Sequence, residues 1–204
     1  MIETYQSNLE NFIHWAKETP KNVYLKQPKE GHYTDYTYRE SLEIVEQIGT
    51  YLSQQLNKEK PLHIGILSKN SAHWILADLA ISYAGAISVP FYPTLTSEQL
   101  NQVLVHSDCQ CLLVGKLDNW NEIKQGIPST IQLIYTPDSP CNQGISWNEI
   151  LKSSLDISSP ILPKHTELAT IVYTSGTTGV PKGVMITNGA IALALNLARE
   201  IAYL

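Results

Sequence analysis

The sequence predicts an α/β fold in which a largely parallel β-sheet is flanked by helices. Short apolar segments typical of buried strands alternate with segments of helical period. The helical segments between successive strands are about ten residues or longer, as crossovers between parallel strands require. Hydrophobic residues form 43% of the 204 residues and charged residues 16%. The hydrophobic fraction is ample for the core of one domain.

The first elements are predicted to be a helix, a hairpin and a second helix. Residues 7–18 begin with the capping residue Ser7 and then carry apolar residues at helical spacing. Segments 23–27 and 33–36 alternate apolar and polar residues on either side of a turn, which predicts a β-hairpin. Helical period returns over residues 38–56.

A β-α-β unit follows. Residues 62–67 form a short apolar run that predicts a buried strand. Residues 71–83 have helical period and begin with a serine that can cap the helix. Residues 86–89 predict the next strand, and Pro90 is expected to end it.

A second round of the same pattern extends the sheet. We expect a helix over 97–106, capped by its first residue, and a strand over 111–114. A weaker helix over 118–125 precedes a strand over 131–135. A loop-rich region follows, with a short helix predicted at 147–155.

The last predicted elements are two strands and a helix. The strands occupy residues 168–173 and 183–186, and the helix occupies 188–204. This helix is apolar around most of its circumference, a pattern typical of a buried helix. We expect the chain to self-associate through this helix, because the later parts of the domain that would cover it are not among these residues.

Composition excludes several classes of protein. The chain has 14 Lys and Arg residues against 19 Asp and Glu, a net charge of −5, which argues against a nucleic-acid partner. Three cysteines without histidines at ligand spacing predict reduced thiols and neither a disulfide scaffold nor a zinc site. His106 and His165 are expected to be solvated.

The sequence also bears on location. We find no basic and apolar leader at the N-terminus and no apolar run of the ~20 residues that a transmembrane helix needs. The chain is therefore expected to be cytoplasmic. Peripheral attachment at the inner face of the membrane stays open as an alternative.

One segment, residues 173–184, is rich in hydroxyl groups and glycines and lies between two predicted strands. The residues concerned are Thr174, Ser175, Gly176, Thr177, Thr178, Gly179 and Gly183. Glycines let successive backbone N–H groups turn toward one concavity, and hydroxyls donate to phosphate oxygens. Lys182 adds a mobile positive charge, and Pro181 restricts the backbone before it. The pattern predicts a loop that binds a polyphosphate.

Two widespread phosphate-binding motifs do not fit this segment. In a P-loop that starts at Gly176, the second glycine would fall where Pro181 stands. The dinucleotide spacing G-x-G-x-x-G is also absent. A flexible Ser/Gly hairpin loop without a ligand is the structural alternative, and Lys182 with apolar strands on both sides favours phosphate binding over it.

Residues 173–184 read Tyr-Thr-Ser-Gly-Thr-Thr-Gly-Val-Pro-Lys-Gly-Val and resemble the phosphate-loop signature of the AMP-forming acyl-activating superfamily. That superfamily includes acyl-CoA synthetases, luciferases and peptide-synthetase adenylation domains. Further segments resemble its long-chain fatty-acid branch: 36–38, 66–70, Trp74, 78–80, 85–94 and 115–120. The resemblance covers nearly the whole chain.

The resemblance implies a ligase that joins a fatty acid to coenzyme A. ATP and Mg²⁺ would convert the carboxylate to an acyl-adenylate with release of pyrophosphate, and the thiol of coenzyme A would then take the acyl group. The loop residues are implied to hold the β- and γ-phosphates: Thr174, Ser175, Gly176, Thr177, Thr178, Gly179 and Lys182. Lys182 is also the implied catalytic residue, acting by positioning and charge and not as a nucleophile or base.

The resemblance also sets limits on this chain. The superfamily's adenine pocket, magnesium-binding Glu and C-terminal domain with its catalytic Lys all follow the loop. We therefore expect residues 1–204 to be the N-terminal part of the adenylation domain, without metal ligands and inactive alone. After the loop the family commonly reads Thr-His-x-Asn, whereas residues 187–190 of this chain read Thr-Asn-Gly-Ala. Asn188 thus stands in the place of the usual His, and it is expected to cap the last helix.

Two other interpretations stay open at this point. The chain could be a catalytically dead product that at most binds phosphate, or it could belong to an adenylating enzyme that delivers acyl groups to a carrier protein. The length of the fatty acid is not readable from these residues.

Overall fold

Seven strands form one mixed sheet, and a separate hairpin lies near the N-terminus. The computed structural model describes residues 6–29, 31–55, 62–174 and 181–202. Helices and strands follow one another in this order: α1 Asn8–Glu18, β1 Val23–Lys29, β2 His32–Thr37, α2 Tyr38–Gln55, β3 His63–Leu67, α3 Ala72–Tyr83, β4 Ile87–Phe91, α4 Ser97–His106, β5 Cys109–Val114, α5 Trp120–Ile123, β6 Gln132–Tyr135, β7 Ile145–Ser146, α6 Trp147–Lys152, β8 Leu168–Thr174, β9 Lys182–Thr187 and α7 Asn188–Ala202.

The sheet has the order β7-β6-β5-β3-β4-β8-β9. All neighbouring strands run parallel except β8 and β9, which form an antiparallel pair. The α/β class and the largely parallel sheet predicted from the sequence are therefore confirmed. Because β3 lies between β4 and β5, the chain order reverses beside it, and in such sheets ligands bind outside the carboxyl ends of the strands.

Both faces of the sheet are covered by helices. One cluster of buried apolar residues joins α1, α2 and α3 to β3, β5 and β6, and includes Phe12, Ile48 and Leu76. A second cluster on the other face joins α4 and α5 to β4, β5 and β8, and includes Leu100 and Trp120. Central strands covered on both faces are expected to be continuously apolar, as β3 and β5 are.

Helix α1 begins as the sequence predicts. The backbone N–H of Glu10 donates to the Ser7 hydroxyl at 3.2 Å, and the backbone N–H of Ser7 donates to the Glu10 carboxylate at 2.8 Å. This reciprocal capping box satisfies two backbone donors that the first helical turn leaves without partners.

Helices α2 and α3 approach closely at Gly49. A Cβ atom built on Gly49 would lie 2.6 Å from Cδ1 of Tyr83, closer than carbon atoms pack. The Tyr83 ring is held from its far end as well, because its hydroxyl donates to the backbone carbonyl of Ser158 at 2.5 Å. Glycine at position 49 therefore sets the distance between the two helices.

Several boundaries differ from the sequence predictions. Pro90 lies inside β4 opposite Ile66, and it is tolerated there because the ladder to β8 is confined to the pair Ser88 and Thr170. Helix α4 is capped by Thr96, one residue before the expected Ser97. The short strand β7 has no counterpart among the predicted elements.

Helix α6 also differs, because it ends at Lys152, three residues before the predicted end.

Helix α7 is less covered than its sequence predicts. Ala192 is buried, but several of its large apolar residues are exposed: Leu193, Leu195, Leu197 and Ile201. None of the helices described is both long and apolar enough to cross a bilayer. Cys109, Cys111 and Cys141 are all buried free thiols.

Candidate phosphate-binding site

The candidate loop is carried by the antiparallel hairpin of β8 and β9. Thr174 ends β8 and pairs with Lys182, which begins β9. Both residues are exposed, so their side chains stand at the mouth of the hairpin. The remaining predicted ligands, Ser175, Gly176, Thr177, Thr178 and Gly179, lie outside the described residues.

The register just below the mouth depends on a glycine. Gly183 of β9 pairs with Tyr173 of β8. A Cβ atom on Gly183 would lie 2.8 Å from Cγ2 of Ile171 and 3.3 Å from Cζ of Tyr173. The last glycine of the motif therefore allows the Tyr173 ring to lie across the hairpin, in addition to any role in the loop itself.

Tyr173 ties the hairpin to the rest of the sheet. Its ring is buried and stacks on Phe91 at the end of β4, with ring centroids 6.3 Å apart. Its hydroxyl shares a hydrogen bond with Nδ1 of His106 at 2.7 Å. Burial raises the pKa of the Tyr173 hydroxyl, so it stays protonated and can donate this bond. His106 is exposed, as expected from the sequence, but its ring also has a specific partner that the sequence did not predict.

The mouth of the hairpin lies at the carboxyl edge of the parallel sheet. Strand β8 runs parallel to β4, so Thr174 ends on the same side as Phe91. Helices α3 and α4 follow β3 and β4 and therefore begin at this edge, capped by Ser71 and Thr96. The amino ends of helices carry partial positive charge, which together with Lys182 makes the edge suited to an anion.

The start of α7 is fixed by a contact that the sequence did not predict. The Thr187 hydroxyl accepts from the backbone N–H of Ala190 at 3.2 Å, so Thr187 and not Asn188 caps the helix. Asn188 is buried and donates both its backbone N–H and its side-chain amide to the carbonyl of Glu167, at 2.9 and 3.1 Å. Asn188 therefore holds the helix against the segment before β8.

Negative charge is scarce at the hairpin mouth. Residues 173–184 contain no Asp or Glu, and Lys182 forms no ion pair with any residue in the described ranges. Within those ranges we also find no group of three or more His, Cys, Asp or Glu side chains placed to hold a metal ion. The arrangement offers a cation and a hydroxyl to an anion, and no carboxylate to a metal.

Comparison with known proteins bears on the family. The family model described as "AMP-binding enzyme" matches residues 12–203. The chain is 32% identical over 202 residues to "Long chain acyl-CoA synthetase 7, peroxisomal" of Arabidopsis thaliana, covering 88% of this chain and 28% of that protein. It is 30% identical over 188 residues to "Polyketide synthase PksN" of Bacillus subtilis, covering 92% of this chain and 3% of that protein.

The fold has solved counterparts. The anthranilate CoA ligase AuaEII in complex with anthranoyl-AMP superposes with a TM-score of 0.76 at 18% identity, over 92% of this chain and 36% of that one. The chain spans between 26% and 30% of the length of the first three curated relatives it matches. The match to the family model over nearly the whole chain places this protein in the AMP-binding enzyme family.

Proposed function

We propose that the β8–β9 hairpin binds the pyrophosphate part of ATP in an enzyme that adenylates a carboxylate. The observation that carries this proposal is the pairing of Thr174 with Lys182 at the hairpin mouth, on the carboxyl edge of the sheet. The hydroxyls and backbone N–H groups of the intervening motif, Ser175, Gly176, Thr177, Thr178 and Gly179, would complete the cradle.

The residues of this chain would act by position and charge. The Lys182 ammonium has no competing ion pair among the described residues and would offset the charge that accumulates on the leaving pyrophosphate. The Thr174 hydroxyl would donate to a phosphate oxygen. A carboxylate substrate is already ionised at neutral pH, so adenylation needs neither a nucleophile nor a general base from the hairpin.

We propose a long-chain fatty acid as the carboxylate and coenzyme A as the acceptor of the acyl group. The identity of about 30% to long-chain acyl-CoA synthetases over most of the chain supports both assignments. Fatty acid, ATP and coenzyme A would then be the small-molecule partners. No cluster of carboxylates that could hold Mg²⁺ occurs among the described residues.

A carrier-protein thiol is the alternative acceptor. The similarity to PksN, named as a polyketide synthase, favours considering it. The two acceptors share the adenylation step and differ only afterwards, so the role proposed for the hairpin is the same in both.

Free buried thiols agree with a reducing compartment, and we propose a cytoplasmic location, free or peripheral at the inner face of the membrane.

The test is to measure direct binding of pyrophosphate to the chain by isothermal titration calorimetry. We expect Lys182→Ala to weaken binding about tenfold or more, as the loss of a charge-assisted hydrogen bond does. Lys152→Ala is the matched control, because Lys152 is an exposed lysine at the end of α6, and it should leave the affinity unchanged. Equal affinities for the two variants would remove Lys182 from the site.

Absence of binding in the unsubstituted chain would contradict the proposal and favour a catalytically dead product. Retention of binding would not identify the acceptor. That is decided by offering the acyl-adenylate to coenzyme A and to a carrier protein, and measuring which thioester forms.

A further inference from the structure

A cleft of about 200 Å³ lies between the sheet and the helices α3 and α7. It is bounded by α3, α7 and the neighbouring strands β4 and β8. Its polar lining includes Asp78 of α3, Ser88 of β4 and Thr170 of β8. None of these residues belongs to the phosphate motif, and the proposed adenylation does not use them.

Two hydroxyl groups line this cleft. Ser88 and Thr170 are register partners across β4 and β8, so their side chains project from the same face of the sheet. Both hydroxyl oxygens are buried. The Thr170 hydroxyl makes no hydrogen bond with a described residue, whereas the Ser88 hydroxyl lies close to the Asp78 carboxyl and favours its charged form. A buried polar group without a partner is unfavourable, so the Thr170 hydroxyl indicates that a group outside the described residues supplies a hydrogen bond.

A carboxyl group faces the same space. Asp78 forms no ion pair with the described residues. Burial raises the pKa of its carboxyl above the ordinary value of 3.8, and the nearby Ser88 hydroxyl offsets only part of that rise. The carboxyl and the two hydroxyls present oxygen acceptors from three side chains, and no cation of the described residues pairs with the carboxyl.

The rest of the cleft is largely apolar. Trp74 and Leu79 of α3, Val172 of β8 and Ile191 of α7 line it. A ligand that fits both parts has a cationic head with several N–H donors and a short hydrocarbon stem. A primary ammonium group carries three donors, which matches the carboxyl and the two hydroxyls in number.

We propose that this cleft binds a primary alkylammonium group, with the ammonium held by Asp78, Ser88 and Thr170 and the alkyl stem lying against Trp74 and Ile191. The ammonium would belong either to a free amine or to a lysine side chain. Its arrival would pair the carboxylate and supply a donor to the Thr170 hydroxyl. Water could supply that donor, but it could not balance the charge.

The experiment is a titration of the ¹⁵N-labelled chain with n-butylammonium chloride, in which NMR chemical shifts report binding. We expect saturable shifts at the backbone amides of Asp78, Ser88 and Thr170. n-Butanol has the same stem without the charge, and n-butyltrimethylammonium has the charge without N–H donors. Both should bind at least about tenfold more weakly, as expected for the loss of a charge-assisted hydrogen bond.

Variants separate this site from general affinity for cations. Asp78→Asn should weaken n-butylammonium binding about tenfold or more, and Thr170→Val should weaken it by a smaller factor. Asp156→Asn is the matched control, because Asp156 is an exposed carboxylate elsewhere, and it should bind like the unsubstituted chain. The dispersion of the amide spectrum verifies that each variant is folded.

A second titration identifies the source of the ammonium. N-acetyl-lysine methylamide binding as tightly as n-butylammonium would assign the cleft to a lysine side chain, and binding of n-butylammonium alone would assign it to a free amine. The proposal is overturned if n-butylammonium gives no saturable shifts, if Asp78→Asn binds it unchanged, or if n-butanol binds equally. Each of these results would make the cleft a water-filled pocket without affinity for an ammonium group.

Discussion

The Tyr173 hydroxyl and Nδ1 of His106 share a hydrogen bond of 2.7 Å, although the residues are 67 positions apart in sequence. Their rings meet edge to face, with an interplanar angle of 87°. Tyr173 directly precedes Thr174, so this bond fixes the strand from which the candidate phosphate loop begins.

Tyr173→Phe should lower the free energy of unfolding by about 0.5–1.5 kcal/mol, because it removes this hydrogen bond while keeping the ring. Urea denaturation measures the change. Tyr33→Phe is the control, since the Tyr33 side chain is 66% exposed, and it should be neutral. If His106→Ala and Tyr173→Phe prove strictly additive when combined, the bond contributes nothing to stability.

The 204-residue chain by itself should not catalyse ATP–pyrophosphate exchange with fatty acids. It spans less than a third of the curated relatives, and its described residues gather no carboxylates for a metal. Radiolabelled pyrophosphate incorporation into ATP, with a panel of fatty acids, measures the activity. Fatty-acid-dependent exchange above the rate without enzyme would contradict the expectation.

Gly49→Ala should destabilise the chain. Overpacking costs about 1–3 kcal/mol, and the higher helix propensity of alanine offsets ~1 kcal/mol of that cost. The added methyl group would meet the Tyr83 ring, which cannot move freely because its hydroxyl is bonded to the Ser158 carbonyl. Thermal unfolding measures the effect. Gln54→Ala changes an exposed position of the same helix and should leave the melting temperature nearly unchanged. A stabilised Gly49→Ala variant would show that α2 and α3 can separate at little cost.

Asp78→Asn should make stability less dependent on pH. Burial raises the pKa of Asp78 in the folded state, so above its unfolded pKa the folded chain holds a proton that the unfolded chain has released. This contribution makes unfolding easier as pH rises from the unfolded toward the folded pKa.

The amide introduced by Asp78→Asn does not titrate, so the variant should lack that decrease and be the more stable at neutral pH in the absence of any amine. Urea denaturation across a pH series measures both chains, with Asp156→Asn as the surface control. A variant with the same pH profile as the unsubstituted chain would place Asp78 in a water-like environment.

The chain should self-associate through β9 and α7. The exposed apolar side chains of these elements include Met185, at 68% exposure, and Ile201, at 71%. Patches of this kind pair in water, because burying apolar surface is favourable by about 25 cal/mol per Å².

Light scattering after size exclusion, at tens of micromolar chain, measures the mass. Leu197→Glu should shift the population toward the 22.8 kDa monomer, whereas Val105→Glu on α4 should not. A monomeric unsubstituted chain would contradict this prediction.

Elements specified by local signals could be predicted from the sequence. The caps Ser71 of α3 and Ser7 of α1 could be predicted because each serine is followed by apolar residues at helical spacing. Each side chain does accept a hydrogen bond from a backbone N–H of the first helical turn. The local rule that proline cannot donate to a ladder predicts that Pro90 ends its strand. That rule fails here because β8 pairs with β4 only at Ser88 and Thr170, which the sequence does not reveal.

The candidate site was predicted only where its chemistry is contiguous. The motif 173–184 is continuous in sequence, and the strands predicted on either side of it are present as β8 and β9. Their antiparallel pairing was not predicted. The contacts of Tyr173 with Phe91 and His106 join positions far apart in the chain, and no spacing rule predicts them. Asp78 does carry a signal in the sequence, since a carboxylate within an apolar helix is uncommon in a covered position.

In the part of the chain that the structure describes, β9 has a single neighbour in the sheet, whereas β3 lies between two strands. The hairpin can therefore open by breaking one ladder, without separating the central strands. Amide hydrogen exchange should be faster in β9 than in β3, and the energy of closing the hairpin enters any phosphate affinity. Substitutions on β9 should therefore change how tightly the proposed site holds an anion without changing the unfolding of the central sheet, so affinity and fold stability would be separately adjustable.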